Sequence, residues 1–468
     1  MQKIPKTRTY VPGLDDILSG GLPSERTTVL NGTTGVGKTV LGLQIAYFNA
    51  THENPSVFVS LEESGPSIYR NSGSLGWEVD AEESSGRMAV VDLAVDPTAV
   101  RTGRFDLGGL RGIIQGSVAK LDANLVVIDS LDAALGPFRE DGEAEDELVQ
   151  LLRWFAERSI TVLITAKRRQ IGEDYELLDF LADCVINLDQ RVIRQVTTRR
   201  LRIVKYRGSG FSSNEHPFVI GGKGVKLMPL TGVELPAGAI GEAMSCGHPA
   251  FDGILGGGLR RGSSVLIAGP TGTGKTTLAC LFSLSATSRG ERVLYCSFEE
   301  SAAALSEAMK SPGLDLESAV ESGYLRVLTA IPEATGIEEH LFRIFDAIDS
   351  FAPRHLVMDS ISATPRMGTE SAAFDFLVRI VGHAKQRGIT CVFTSQTRSD
   401  VGLFGLSEIG ISSLIDAIIS LNYDTVGTEL RRSLVVVKNR GSSHSHRYHR
   451  FVISDKGIHI EVGMENER

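Results

Sequence analysis

The sequence predicts an α/β protein made of two similar halves, each a mostly parallel sheet flanked by helices. Three observations predict this fold: a long internal repeat, short apolar runs that alternate with helical patterns, and a glycine-rich loop after a strand in each half. The 468 residues, 42% apolar and 22% charged, are enough for two or three folded domains. We therefore expect two α/β domains with ordinary buried cores.

A long repeat divides the sequence into two parts. Matching segments lie 237 positions apart over most of the chain and 233 apart near the end of each half. Repeats of this length are typical of a duplicated domain and not of a short solenoid unit. We predict a first domain over 1–231, a linker with Pro and Gly over 232–245, and a second domain over 246–468. The matching segments are Gly32–Thr39 with Gly269–Thr276, Leu61–Ser64 with Phe298–Ser301, and Lys205–Ser209 with Lys438–Ser442.

Apolar runs and helical patterns alternate along the first half. Short apolar runs bounded by turn residues are typical of the buried strands of a parallel sheet. Such runs predict strands at Thr27–Leu30, Val57–Leu61, Leu125–Ile128 and Thr161–Thr165, with later strands at Val185–Asp189 and Arg199–Val204. Helical patterns cover Val40–Asn49 and Asp146–Arg158.

Each glycine-rich segment matches G-x-x-x-x-G-K-[ST] between a strand and a helix. The glycines let backbone N–H groups surround a phosphate, the lysines reach the β- and γ-phosphates, and the following threonines hold Mg²⁺. A plain glycine turn is the alternative, but two matches at equivalent positions disfavour it. We predict two ATP sites formed by Gly35, Val36, Gly37, Lys38, Thr39 and Val40, and by Gly272, Thr273, Gly274, Lys275, Thr276 and Thr277.

An acidic residue ends one apolar strand in each half. Asp129 follows Leu125–Ile128, and Asp359 follows an apolar run at 356–358. An aspartate at this position beside a phosphate loop is the Walker B pattern, which holds Mg²⁺. Alone the signal is weak, because aspartate commonly ends strands. The predicted Mg²⁺ ligands are Thr39, Asp129, Thr276, Glu299 and Asp359.

Paired glutamates follow another apolar strand in each half. Glu62–Glu63 and Glu299–Glu300 begin 24 residues after the loop lysines. Phosphoryl transfer needs a base that orients or deprotonates the attacking oxygen, and one carboxylate of each pair suits that role. The alternative is a solvated helix start, where acidic residues suit the helix dipole. Recurrence in both halves favours the catalytic interpretation.

Together, the two phosphate loops, the glutamate pairs and the two Lys-x-Arg-Gly-Ser segments resemble the KaiC family of RecA-like, double-domain ATPases. The resemblance extends from about Thr9 to Gly457. It implies tandem RecA-like domains, ATP and Mg²⁺ as cofactors, and a homohexameric double ring with ATP bound between subunits. It also implies that Glu62 positions water in a slow first-domain ATPase. The second domain would be a serine autokinase and phosphatase with a role in timing or signalling.

The same resemblance implies further nucleotide contacts and a phosphorylation segment. The Lys-x-Arg residues would reach the nucleotide of the adjacent subunit, although a lone copy of this pattern is usually a solvated strand end. Ser412 and Ser413 match the family's acceptor segment, with Glu299 as general base and Arg366 near the acceptor. The implied contacts are Arg200, Lys205, Tyr206, Arg207, Arg432, Lys438, Asn439 and Arg440.

A structural interpretation of the acceptor segment stays open beside the chemical one. Ser413-x-x-Asp416 before an apolar run is a helix capping box that needs no chemistry. The first half has Asp179, Phe180 and Asp183 at this place, so it keeps the aspartate but lacks both hydroxyls. That asymmetry favours a kinase role confined to the second domain.

The sequence departs from the family at several points. It ends soon after Gly457, where the family's C-terminal tail would follow, so dependence on KaiA is not expected, whereas a KaiB-like partner is compatible. Pro312 replaces a tryptophan near the adenine, and Lys167–Arg169 replaces an acidic segment.

Composition limits the alternatives. The formal charge of −9 disfavours a general nucleic-acid binder, scattered cysteines fit a reducing cytosol, and no apolar run is long enough for a membrane span, so we expect a cytoplasmic protein. A DNA-dependent ATPase of the RecA/RadA class remains open and would show salt-dependent binding to single-stranded DNA. A regulatory scaffold held together by nucleotide also remains open and would bind ATP without turnover.

Overall fold

The structure, a computed structural model, describes residues 4–93, 107–131, 143–167, 176–193, 196–228, 241–397, 413–455 and 457–461. The chain separates into two compact units. The first unit takes Met1–Val192 and Thr197–Gly232, and the second takes Ile193–Val196 and Val233–Arg468. Most of the predicted linker, 232–245, falls outside the described residues, so the domain limits stay a prediction.

The first unit contains a mostly parallel sheet, as the sequence predicts. Its described strands run in the order β11-β10-β9-β8-β3-β7-β6-β4-β5, and the strands from β8 to β5 pair in parallel. Its strands are β1 (Lys6–Thr7), β2 (Leu22–Pro23), β3 (Thr27–Gly32), β4 (Ser56–Ser60), β5 (Met88–Asp92), β6 (Leu125–Asp129), β7 (Thr161–Lys167), β8 (Cys184–Ile193), β9 (Val196–Tyr206), β10 (Glu215–Gly221) and β11 (Gly224–Leu227). Its helices are α1 (Leu14–Ile17), α2 (Lys38–Thr51), α3 (Gly65–Ser74), α4 (Val79–Ser84), α5 (Leu107–Leu121), α6 (Glu143–Ala156) and α7 (Glu176–Leu181).

Alternate residues of the central strands pack into cores on opposite faces of this sheet. Val127 packs with helix α2 in one core, whereas its neighbours Val126 and Ile128 pack with α5 and α6 in the other. All five residues of β6 are buried, because helices cover both faces. This explains why the strands read as continuous apolar runs in the sequence.

The second unit repeats this architecture. Its described strands run in the order β16-β15-β17-β18-β14-β19-β20-β21-β22. The strands are β12 (Ala243–Met244), β13 (Leu259–Arg260), β14 (Ser264–Gly269), β15 (Val293–Ser297), β16 (Leu325–Thr329), β17 (His355–Asp359), β18 (Thr390–Gln396), β19 (Ala417–Val426), β20 (Glu429–Asn439), β21 (His449–Ser454) and β22 (Gly457–Glu461). The α-helices are α8 (Pro249–Ile254), α9 (Lys275–Ser288), α10 (Ala302–Lys310), α11 (Leu316–Glu321), α12 (Ile337–Phe351) and α13 (Glu370–Gln386), with 3₁₀ turns at Pro332–Ala334 and Ile361–Met367. None of the helices in the described ranges is both long and apolar enough to cross a bilayer.

An ion-pair cluster joins the starts of three strands in the second unit. Glu291 accepts from His355 Nε2 at 2.8 Å and pairs with Arg261 at 2.6 Å and Arg289 at 3.2 Å. Burial opposes ionisation of Glu291, but the hydrogen bonds from His355 and Arg261 outweigh it and lower the pKa to about 2. Burial also lowers the pKa of His355, so this histidine is neutral at pH 7.

Glu291→Gln is expected to destabilise the second unit by about 1–3 kcal/mol at pH 7. A carboxylate whose pKa falls from 4.5 to about 2 on folding stabilises the fold above pH 4.5 and loses that contribution as the pH falls toward 2. Urea unfolding of the full chain between pH 7 and pH 3 measures both effects. Equal stabilities of the variant and the parent throughout this range would contradict the expectation.

Candidate nucleotide sites

A glycine-rich loop joins a central strand to a helix in each unit. In the first unit β3 ends at Gly32 and α2 begins at Lys38, with Gly37 in the left-handed region at a φ of 110°. In the second unit Gly274 stands at the same place with a φ of 101°. The positive φ of Gly37 favours glycine there, and a Cβ would lie 2.5 Å from Ile220 Cδ1, the end of a side chain that would have to shift. The loops therefore present backbone N–H groups at a helix N-terminus, which suits a phosphate.

The loop side chains divide into two groups. Val36 and Thr273 are fully buried and Thr277 is nearly so, whereas Thr39, Val40 and Thr276 are half-buried. Gly35 and Gly272 are exposed. The buried residues would therefore contact a phosphate through their backbone N–H groups and not through their side chains; they are Val36, Thr273 and Thr277.

Each loop lysine folds back over its own loop. Lys38 Nζ donates to the carbonyl oxygens of Gly32 and Thr33 at 2.8 and 3.0 Å. Lys275 Nζ donates to those of Gly269 and Pro270 at 2.9 and 2.8 Å. Burial lowers the pKa of Lys275, an effect that Asp359 and Glu299 oppose. The ammonium groups are thus held within the loops.

The strand-end aspartate of the first unit lies against the phosphate loop. Asp129 accepts from Thr39 Oγ1 at 2.8 Å and from Thr165 Oγ1 at 2.5 Å. Burial raises its pKa, and the two threonine hydrogen bonds oppose that shift. Thr39 and Asp129 supply the hard oxygen ligands that Mg²⁺ prefers, so these residues fit that ion.

Asp359 of the second unit has a different pair of donors. It accepts from Thr394 Oγ1, the counterpart of Thr165, and from Tyr295 OH at 2.8 Å. The half-buried Thr276 follows the loop lysine, as Thr39 does in the first unit. This oxygen-donor set also fits Mg²⁺.

The first glutamate of each pair points toward the serine after the strand-end aspartate. Glu62 Oε1 accepts from Ser130 Oγ at 2.9 Å, and Glu299 Oε1 accepts from Ser360 Oγ at 2.8 Å. Glu62 also pairs with Lys167 at the end of β7. These contacts bring the predicted base, the metal ligand and the phosphate loop to one edge of each sheet.

The second glutamate of each pair, Glu63 or Glu300, differs from the first in the groups that surround its carboxylate. Glu63 Oε2 accepts from Asn71 Nδ2 at 3.1 Å and from Ser67 Oγ at 3.4 Å, both on α3. Burial raises the pKa of Glu300, and the charges of Asp359 and Glu299 raise it further. Adjacent carboxylates therefore do point in different directions in the first unit.

The Lys-x-Arg residues of the first unit contact the end of helix α7. Lys205 Nζ donates to the carbonyl oxygens of Asp179 and Phe180 at 2.8 and 2.9 Å, and Arg207 donates to Phe180 at 3.2 Å. Burial lowers the pKa of Lys205, and the Arg207 charge adds to the shift. The lysine is thus fixed beside an exposed arginine.

The second unit has the matching arrangement. Lys438 Nζ donates to Ile415 O at 2.5 Å, and Arg440 lies 3.7 Å from the buried carboxylate of Asp416. Burial lowers the pKa of Lys438, and Arg440 lowers it further. The strand register places Lys438 opposite Ile418, which is level with Leu266 near the start of β14. These residues therefore lie toward the edge of the sheet opposite the phosphate loop.

The remaining predicted contacts fall into two groups. Tyr206 and Asn439 are buried and donate to Gly21 O and Leu255 O, both at 2.9 Å, so their side chains have structural partners. Arg432 Nε donates to Gly272 O at 3.0 Å, beside the loop of its own chain. Arg200 is half-buried on β9.

The proposed acceptor segment is described only in part. Ser412 lies outside the described residues, and Ser413 is exposed. The capping-box interpretation of Ser413 is wrong, because the apolar run after Asp416 forms strand β19 and not a helix. Asp416 instead accepts from the N–H of Ser264 and pairs with Lys385, both at 2.9 Å. The predicted site arginine, Arg366, pairs with Glu333 at 3.2 Å.

Sequence reasoning missed several residues that contact the site. Asp129 accepts from Thr165, Asp359 accepts from Thr394 and Tyr295, and Glu62 accepts from Lys167. Each of these donors lies far along the chain from its partner. In the sequence Thr165, Thr394 and Lys167 are polar residues near the end of an apolar strand, whereas Tyr295 gives no signal of its own within β15.

Comparison with known proteins decides the family. The KaiC ATPase family model matches residues 7–232 and again 244–465. The chain belongs to the KaiC ATPase family. It is 34% identical to the circadian clock oscillator protein KaiC of Picosynechococcus sp., over 99% of this chain and 91% of the relative. KaiC proteins of Parathermosynechococcus lividus and Prochlorococcus marinus are also 34% identical, over 98% and 100% of this chain and 86% and 94% of the relatives. The family and the tandem RecA-like fold predicted from the sequence are thus confirmed, and the chain is an ATPase of this family.

Proposed function

We propose that each of the two units of this KaiC-family ATPase has a nucleotide site of the same design and that the two sites catalyse different reactions. The first unit hydrolyses ATP slowly, and the second phosphorylates and dephosphorylates serines of its own assembly. The chain would act in circadian-type timing or signalling, as the names of its relatives describe for them. The observation that carries the proposal is a repeated contact between glutamate and serine beside each phosphate loop, with acceptor serines in the second unit alone.

Mg²⁺ bound with ATP would neutralise the charge that develops on the phosphates. Thr39 and Asp129 would hold it in the first unit, and Thr276, Asp359 and Glu299 in the second. Lys38 and Lys275 would leave the loop carbonyls that they now contact and bind the β- and γ-phosphates. The exchange replaces two neutral acceptors by charged ones, which strengthens the hydrogen bonds.

Glu62 would orient the water that attacks the γ-phosphorus in the first unit. The water oxygen forms the new bond to phosphorus, its proton passes to Glu62, the bond to the β–γ bridging oxygen breaks, and ADP leaves. Ser130 Oγ donates to Glu62 Oε1 at 2.9 Å, and Lys167 Nζ donates to the same oxygen. These two contacts limit the directions in which Glu62 can point.

Glu299 would have the matching role in the second unit, with a serine hydroxyl in place of water. The hydroxyl of Ser412 or Ser413 attacks the γ-phosphorus, its proton passes to Glu299, and ADP leaves. Arg366 would steady the acceptor segment once it has left Glu333. Ser413 is exposed, which suits an acceptor that must reach a site on another subunit.

The active assembly would be a homohexameric double ring with ATP between subunits. Arg207 and Arg440 are exposed, and Lys438 lies toward the opposite sheet edge from its own phosphate loop. Since that position leads away from the loop of the same chain, an adjacent subunit supplies the nucleotide. Light scattering should show hexamers with Mg·ATP, and stable monomers under those conditions would contradict the assembly.

Two expectations complete the proposal. The five cysteines are free and buried, in keeping with a cytoplasmic protein in a reducing compartment. A KaiB-like protein is the partner that the circadian interpretation favours. Pull-down with such a protein, with and without ATP, would test this.

Peptide mass spectrometry after incubation with Mg·ATP tests the division of labour. Phosphate on Ser412 or Ser413, together with release of inorganic phosphate, is the expected result. A chain that hydrolyses ATP but stays unmodified would refute the kinase part and leave a double-ring ATPase. Tight ATP binding without phosphoserine or inorganic phosphate would favour a regulatory scaffold that nucleotide holds together.

A further inference from the structure

The two units differ in the hydroxyl that donates to the strand-end aspartate. In the first unit Thr39 Oγ1 of the phosphate loop donates to Asp129 Oδ2 at 2.8 Å. In the second unit the phenol of Tyr295 donates to Asp359 Oδ2, also at 2.8 Å. The loop residue of the second unit, Thr276, makes no hydrogen bond to Asp359 in the described part of the chain.

Tyr295 and Phe58 occupy equivalent positions. They lie 237 residues apart, on β15 and β4, and each is fully buried. Tyr295 pairs with Val357, two residues before Asp359, as Phe58 pairs with Val127, two residues before Asp129. Residues two apart on a strand share a face, so only a hydroxyl distinguishes these positions.

The core around Tyr295 has room for that hydroxyl. Cys280 on α9 places its Sγ 3.9 Å from the phenol oxygen, whereas Leu43 is the residue 237 positions earlier. Leu43 is bulkier and buried in the first unit. Relative to the first unit, the second unit thus has a smaller residue at Cys280 and a larger one at Tyr295, and the two changes are complementary.

A hydroxyl that donates its proton to the aspartate keeps its lone pairs for a metal ion. Thr39 is arranged in this way in the first unit. In the second unit the phenol already donates to Asp359 Oδ2, so a hydrogen bond from Thr276 would have to share that oxygen with the phenol.

We infer that Tyr295 is a positioning residue that competes with Thr276 for Asp359 and makes the second nucleotide site bind Mg²⁺ more weakly than the first. The inference rests on the proposed nucleotide sites. A weaker metal site in the second unit would make its phosphoryl transfer the more sensitive of the two to Mg²⁺ concentration.

The test uses the full chain with one site disabled at a time. In a Lys38→Ala background, a fluorescent ATP analogue reports the second site, and Mg²⁺ is titrated against its binding. Tyr295→Phe is expected to lower the Mg²⁺ midpoint about three- to tenfold, the value of one hydrogen bond. Binding of the analogue without metal should stay unchanged. The spectrum of bound Mn²⁺ gives a second, direct measure of metal affinity.

The reciprocal change provides a matched control. In a Lys275→Ala background, Phe58→Tyr with Leu43→Cys is expected to raise the Mg²⁺ midpoint of the first site by a similar factor. Midpoints that stay equal while the analogue still binds, or that move in the opposite direction, would overturn the inference. Absence of analogue binding at both sites would instead refute the proposed function. Thermal unfolding of each variant separates loss of fold from loss of metal affinity.

Discussion

Glu62→Gln is expected to abolish most ATP hydrolysis while ATP still binds. The carboxylate lies 2.9 Å from Ser130 Oγ, beside the phosphate loop, and a correctly placed base contributes about 10²- to 10⁴-fold to such reactions. Glutamine keeps the shape and the hydrogen bond from Ser130 but cannot accept a proton. Steady-state phosphate release and equilibrium binding of ATP, measured on the same preparation, separate chemistry from affinity.

Glu157→Gln is a suitable control for that experiment. Glu157 is exposed just after helix α6, and no hydrogen bond or ion pair joins its side chain to the site among the residues that the structure describes. Its replacement removes the same charge without reaching the phosphate loop, so turnover should stay within about twofold of the parent. Unchanged turnover in Glu62→Gln would remove this glutamate from the mechanism and return it to the role of a solvated helix start.

Lys275→Ala is expected to remove phosphate from Ser412 and Ser413. The ammonium donates to two loop carbonyls at 2.9 and 2.8 Å and lies where the β- and γ-phosphates would bind. Without it, the second site loses a charge-assisted contact to the transferred group; an arginine finger on the same charge is worth about 10³-fold or more. Peptide mass spectrometry after a timed incubation with Mg·ATP gives the phosphate content of each serine.

Lys310→Ala provides the matching surface change. Lys310 lies at the end of helix α10, and its ion pairs within the described residues are with the exposed Glu307 and Glu317. Its variant should carry as much phosphate as the parent. Phosphate that persists on Lys275→Ala would show that the second site is not the kinase.

The central strands and both phosphate loops could be predicted because their signals are local. Buried parallel strands need continuous apolar runs, and the run at Leu125–Ile128 forms β6 with Asp129 as its last residue. The loop favours glycine at Gly37 because the backbone there has a positive φ. Parallel strands place their carboxyl ends at one edge, so the loop, Asp129 and Glu62 had to be neighbours.

The partners of these residues could not be predicted, because they come from distant strands. Lys167 ends β7 and Glu62 follows β4, and the two meet because β6 alone lies between those strands in the sheet, which sequence spacing does not reveal. Tyr295 reads as one more apolar strand residue, and only its pairing with Val357 shows that its hydroxyl meets Asp359. Such residues can be recognised as part of the site only when the pairing of the strands is known.

The acceptor segment shows how a local signal misleads. Ser413-x-x-Asp416 has the spacing of a helix cap, but the β-branched and apolar residues that follow pair with β14 as strand β19. Asp416 then serves the sheet, where it accepts from the N–H of Ser264 and pairs with Lys385. Tertiary pairing outweighed the local capping preference.

The number of nucleotides bound per chain tests the central claim of two sites most directly. Equilibrium dialysis with Mg²⁺ and a non-hydrolysable ATP analogue should give two per chain for the parent. The Lys38→Ala and Lys275→Ala variants should each give one, since each loop belongs to a separate unit. One nucleotide per parent chain, or none, would contradict the account.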